Sequence, residues 1–187
     1  EAEFRDALRI YRLADPRPSE DRAQALNDLG VTVRALGRTD EALVLLEEAL
    51  RVRRSLSEPD DLKTAETYNN LSRVYSNLKR NADALVAMNT ARSLRERTLP
   101  PDHPLVLQTL NNLASLSITT GDYARAEELL LRVIPREAKQ IGPDHSRHAG
   151  TLANLGRIYL DTDRPEIAEA VFRQALAIRV PKLPPDS

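Results

Sequence analysis

One spacing governs this chain. Leu26, Tyr68, Leu110 and Leu152 follow one another at intervals of 42 residues. The text around them repeats: Leu26-Asn27-Asp28-Leu29-Gly30, Tyr68-Asn69-Asn70-Leu71-Ser72, Leu110-Asn111-Asn112-Leu113-Ala114 and Leu152-Ala153-Asn154-Leu155-Gly156. Self-similarity at a fixed period of roughly 20–50 residues marks a stacked array. No unit of such an array can bury its apolar face alone, so neighbours must cover one another. The register therefore argues for a binding module that presents a groove rather than for a catalyst.

Each period carries two helical patterns. In the third, the first pattern runs from about Pro104 to Thr119. At roughly 100° per residue, Leu110, Leu113, Ala114 and Ser117 fall within one narrow stripe, as on an amphipathic helix. Thr120-Gly121-Asp122 breaks it. Gly121 can take the left-handed conformation that ends helices, and Asp122 can cap the next one. Ala126, Leu129, Leu130, Val133 and Ile134 then mark a second helix, which Pro135 should bend. The small residues Gly30, Ser72, Ala114 and Gly156 are expected to let the paired helices approach, with Ala42, Ala84, Ala126 and Ala168 opposite.

The linkers keep the same register. Pro16-Arg17-Pro18-Ser19, Glu58-Pro59-Asp60-Asp61, Pro100-Pro101-Asp102-His103, Gly142-Pro143-Asp144-His145 and Pro184-Pro185-Asp186-Ser187 each stop one helix, with Asp or Ser placed to cap the following one. The reading is nine helices. A half repeat over residues 1–15, holding a lone second-type helix at about 2–13, precedes four pairs at 19–57, 61–99, 103–141 and 146–181, with a linker tail at 182–187. Phe4, Ala7, Leu8 and Ile10 share the phase of Leu46, Ala49, Leu50 and Val52, which supports the half repeat. A chain that starts mid-unit and stops at a linker is expected to be cut from a longer array.

Composition agrees with helices. Aromatic residues make up 4% of the chain and there are six glycines, while alanine, leucine, arginine and glutamate dominate. A net charge of −1 gives no field to attract nucleic acid or an anionic membrane. No apolar run approaches the roughly 18 residues of a spanning helix. With no cysteine there is neither a disulfide framework nor a thiolate metal site. This is compatible with a reducing compartment, and a cytoplasmic location is the expectation.

The repeated text resembles a known family. Leu110-Asn111-Asn112-Leu113-Ala114, Gly121-Asp122-Tyr123, Ala126 and Gly142-Pro143-Asp144-His145 look like tetratricopeptide repeats of the 42-residue kinesin-light-chain type, and the likeness spans essentially the whole chain. The resemblance implies an all-α fold, a right-handed α-solenoid of helix-turn-helix repeats whose inner wall comes from the first helix of each pair. It also implies cargo or adaptor binding, with similar asparagines lining a peptide groove.

A candidate wall can be read from helical phase alone. Gln108, Asn111, Asn112 and Ser115 lie away from the apolar stripe of their helix. The same phases hold Gln24, Asn27, Asp28, Val31 and Arg34 in the first pair, and Glu66, Asn69, Asn70, Arg73, Ser76 and Asn77 in the second. Asn154, Arg157 and Asp161 follow in the fourth. Asparagine is a mediocre helix former, so its recurrence in mid-helix needs a reason. A ladder of amides offers both donors and acceptors to an extended peptide backbone. Arg34, Arg73 and Arg157 would add attraction for a carboxylate. The alternative is that the amides brace neighbouring helices or are simply solvated. Asn27, Arg34, Asn69, Asn70, Arg73, Asn77, Gln108, Asn111, Asn112, Asn154 and Arg157 form the candidate peptide-binding set.

Other constellations point to no chemistry. His145 and His148 share a helical spacing but lack a third ligand, so no metal site is expected. Glu47/Glu48 and Glu127/Glu128 sit beside basic residues on second helices and read as solvated faces. Arg51/Arg53/Arg54 and Arg92/Arg95/Arg97 lie near helix C-termini, where positive charge complements the macrodipole. No phosphate loop or nucleophile–base motif occurs, so neither enzymatic activity nor a cofactor is expected. The expected function is a protein–protein interaction scaffold that binds an extended or partly helical peptide, acidic in character, without nucleic acid or membrane. The alternative is an assembly or regulatory arm that self-associates through its exposed array ends.

Overall fold

The computed structural model describes residues 18–56 and 59–179. Among these residues the secondary structure is eight α-helices: α1 (Glu20–Ala35), α2 (Thr39–Arg54), α3 (Asp61–Asn77), α4 (Asn81–Thr98), α5 (Pro104–Thr119), α6 (Tyr123–Ile141), α7 (Ser146–Asp161) and α8 (Pro165–Arg179). The ninth helix, expected near residues 2–13, and the tail at 182–187 lie outside the described residues. No described helix is long and apolar enough to cross a membrane.

The chain divides into two compact units, one up to Leu99 and one from Pro100. In the first, α1 pairs with α2 and α3 with α4, and α3 also packs on α2. Its core is built from Leu26, Leu29 and Val33 of α1, Leu46 and Ala49 of α2, and Leu71 and Val74 of α3. In the second unit α5 pairs with α6 and α7 with α8, while α7 also packs on α6. Leu107, Leu110, Leu113, Leu130 and Ile158 are essentially without exposure there.

The turn inside each pair uses one backbone device. Gly37, Lys79, Gly121 and Asp163 occupy the same register, and all four have positive φ, between 59° and 82°. Glycine adopts that conformation freely, whereas lysine and aspartate do so at a cost. The first helices start from side-chain caps. Ser19 accepts from the Arg22 N–H and Asp60 from those of Leu62 and Lys63. In the second unit the caps are histidines rather than the expected Asp or Ser. His103 Nδ1 accepts from Leu105 N–H and His145 Nδ1 from Arg147 N–H. Asp122 caps α6 as expected, and α6 continues as a single helix through Pro135.

The two glycines on first helices meet a large side chain one turn beyond the expected alanine, and a Cβ on Gly30 would also lie 3.5 Å from the Ala42 carbonyl. A Cβ on Gly30 would come within 2.8 Å of Leu46, and one on Gly156 within 2.9 Å of Phe172. Leu46 and Phe172 therefore fill the space that the missing Cβ leaves. Ser72 instead donates to the Ala84 carbonyl at 2.8 Å, so its hydroxyl replaces contact with a hydrogen bond.

Candidate functional site

In the first unit the amide-bearing faces of α1 and α3 meet along a polar seam. Asn27 is fully buried. Its Oδ1 accepts from Asn70 Nδ2 at 3.1 Å and from Thr67 Oγ1 at 3.3 Å, and its Nδ2 donates to Asp28 at 3.2 Å. Gln24 also donates to Asp28, at 2.8 Å. Asn69 is buried, Asn70 half-buried, and Arg73 and Asn77 are exposed.

Arg53, on α2, anchors that seam from below. It has no exposure, yet it donates to Glu20 at 3.0 Å, to Gln24 at 2.7 Å, to the Lys63 carbonyl at 2.7 Å and to Thr67. Each N–H of a buried guanidinium needs an acceptor, and residues of α1 and α3 supply them. Helix α2 is thereby tied to both neighbours, and the exposed ends of Asn70, Arg73 and Asn77 are carried on a fixed frame.

Arg34, half-buried near the end of α1, senses Arg73 of α3. Burial first, and then the Arg73 charge, hold its guanidinium below the usual arginine range. Neither arginine has a carboxylate partner among the described residues. The seam thus bears two like charges beside half-exposed amides, a combination that an incoming anion would relieve.

The second unit repeats the plan with opposite charge. Glu137 of α6, two periods after Arg53, is buried and accepts from Thr151 Oγ1 at 2.8 Å. His148 Nδ1 stands 3.9 Å from the same carboxylate. Asn111 donates to Thr151 at 3.0 Å across α5 and α7. Gln108 is exposed, Asn112 and Asn154 are half-buried, and Arg157 is exposed and paired with Asp161 at 3.5 Å on its own helix.

The structure therefore divides the candidate set. Asn27, Asn70 and Asn111 make inter-helix hydrogen bonds, and Asn27 presents no surface to a ligand. Asn70, Arg73, Asn77 and Arg34 remain accessible in the first unit, as do Gln108, Asn112, Asn154 and Arg157 in the second. The two histidines do not converge, since His145 caps a helix and His148 is buried against Glu137. Sequence reasoning missed Arg53 and Glu137, which it left among helix-end charges and helix interior. Their equal phase, shared with Arg95, was the available signal, because Arg95 is buried too.

The comparisons agree with this architecture. The sequence profile of the tetratricopeptide repeat matches residues 21–97, 64–136 and 105–179. Among curated proteins nothing matches. Several solved structures are similar. BtubC (BKLC) from P. vanneervenii is 22% identical with a TM-score of 0.77, covering 95% of this chain and 70% of that one. A Podosopora anserina protein of nearly identical TPR-like repeats, named after kinesin light chain, is 22% identical with a TM-score of 0.78 and coverages of 89% and 79%. MamA is 20% identical with a TM-score of 0.67 and coverages of 95% and 90%. At these identities the likeness establishes the fold, an all-α solenoid of paired helices.

Proposed function

Because this chain belongs to the tetratricopeptide repeat family, whose members are generally non-catalytic protein–protein interaction scaffolds, we propose that it holds an extended or partly helical acidic peptide in a concave groove. Within each unit the groove would be lined by the amide-and-arginine faces of that unit's own first helices. Arg34, Asn70, Arg73 and Asn77 make the contacts in the first unit, and Gln108, Asn112, Asn154 and Arg157 those in the second. Asn27, Asn69 and Asn111 are the more enclosed members and steady that surface. The observation that carries this reading is the pair Arg34 and Arg73, near enough for one charge to act on the other and without a carboxylate partner among the described residues. The amides hold a peptide backbone by donating and accepting, and the guanidiniums select for carboxylates.

The test is an unbiased peptide library followed by titration of the tightest binder. Replacing Arg34 and Arg73 together with alanine should weaken that binder about tenfold or more, the loss of one or two charge-assisted bonds. Melting temperature should stay nearly constant. A binder that is basic, or one indifferent to both arginines, would refute the assignment.

A second reading rests on a different observation. Leu160, Phe172 and Leu176 of α7 and α8 are 37–60% exposed and line one apolar surface with Pro165 and Ala168. Under this reading the protein acts as an assembly arm through that surface. Light scattering should then show association that Leu176→Asp abolishes, whereas a monomer at all concentrations rejects it.

A further inference from the structure

The first unit holds a second surface that the groove reading does not use. On α3, Tyr68, Leu71 and Tyr75 point roughly 160° away from Asn70, Arg73 and Asn77 at ~100° per residue. They form the floor of a cleft of about 570 Å³ walled by α2 and α4. That volume lies within the ~300–1,000 Å³ range of clefts that enclose ligands. Leu50, Val86 and Ala87 complete the apolar lining, and Val86 stands 68% exposed on the α4 rim.

The polar groups of this cleft are arranged in two groups. On one side Tyr75 donates to Glu47 at 3.2 Å and Arg80 stacks over the Tyr75 ring at 4.7 Å. Arg80 also pairs with Asp83 at 2.8 Å, so these charges largely compensate one another. Burial and Glu47 together keep the Tyr75 phenol protonated beyond its ordinary range. On the other side lie Arg51 and Arg54, one turn apart on α2. Arg54 donates to the Tyr68 hydroxyl, lies 5.7 Å from that ring and has no acidic partner among the described residues. Arg51 is exposed and has no acidic partner among the described residues. The cleft therefore has an apolar floor and two uncompensated positive charges along one rim.

We propose that this cleft is a second docking site, distinct from the amide face, for a peptide segment whose apolar side chains are flanked by aspartate or glutamate. Leucine- or phenylalanine-sized groups fill the space above Leu50, Leu71 and Val86, while their neighbouring carboxylates meet Arg51 and Arg54. A nucleic acid fits less well. The two tyrosine rings are already covered by Arg54 and Arg80 rather than open for base stacking. The site is independent of the groove assignment, because no residue is shared between them.

The experiment uses the full chain and a capped, fluorescein-labelled Glu-Glu-Leu-Phe-Glu-Glu peptide, with glutamine-substituted and lysine-substituted versions. Amide chemical shifts should move around Arg51, Tyr68, Val86 and Thr90. Arg51→Glu should weaken binding about tenfold or more, as expected when a charge-assisted contact becomes a like-charge one. Val86→Glu, on the opposite rim, should do the same without altering Arg51. Arg34→Ala with Arg73→Ala should leave this affinity within about twofold, which separates the two sites. The proposal fails if shifts gather on Asn70, Arg73 and Asn77, if Arg51→Glu binds undiminished, or if the glutamine peptide binds equally well. It fails equally if a thymidine octanucleotide outcompetes the peptide, or if nothing binds at millimolar concentration.

Discussion

A guanidinium shut away from water, as Arg53 is, must find acceptors for its N–H groups within the protein. Glu20, Gln24, Thr67 and the Lys63 carbonyl meet that demand. Removing the cation leaves these groups facing a void. Arg53→Ala should therefore cost about 3–5 kcal/mol in urea denaturation, the range for breaking one side of a buried pair. A change below about 1 kcal/mol would mean that water replaces the arginine. At this scale the sequence was half legible. A helical wheel separates Asn27 and Asn111 from the apolar stripe, but it considers only the helix paired with their own. Helix α1 is flanked by α3 as well, and that second neighbour buries Asn27. The charge on Arg53 was equally misleading, since proximity to a helix end offered a sufficient reason for it.

The helices themselves were far more legible, because both their punctuation and their stripes recur. The positive-φ turn shows what the repeat demands. Gly37 and Gly121 meet it without strain, whereas Lys79 adopts φ 62° against its side-chain preference. Lys79→Gly should stabilise the chain by about 1 kcal/mol, seen as a higher urea midpoint with unchanged slope. Destabilisation would show that the lysine side chain compensates for its backbone.

Helices α6 and α8 are linked just ahead of α8, where Arg164 grips Glu127 through two bonds of 3.1 and 2.7 Å and stacks on Tyr159 at 4.4 Å. The hydrogen bond from Arg164 holds the Glu127 carboxyl below the usual glutamate range. A depressed carboxyl stabilises the fold above its unfolded-state value of ~4.3, and that stability is lost as pH falls through the folded value. The gap in stability between wild type and Glu127→Gln should thus be constant near neutrality and close as pH drops below about 4. A gap that persists in acid would assign it to packing.

At the level of the whole molecule, nearest-neighbour packing predicts local consequences for local damage. Leu113 has no exposure in the second unit. Leu113→Ala should cost about 2–5 kcal/mol by leaving a cavity. Hydrogen exchange should speed up mainly in α5 to α8, with α1 to α3 little changed. Uniform acceleration throughout would mean that the chain unfolds as one cooperative block. The array was readable from its period, whereas its division into two compact units was not, because the repeated text continues through residue 100 without interruption.

Arg53 and Glu137 occupy one register with opposite charge, and this bears on how such a chain can change over generations. Duplication makes repeats that begin as interchangeable copies. Here that freedom has gone: transplanting α6 into the place of α2 would set a carboxylate against Glu20, and the reverse exchange would set a cation beside His148. These two helices are therefore no longer synonyms, because each buried charge is matched to the partners of its own junction.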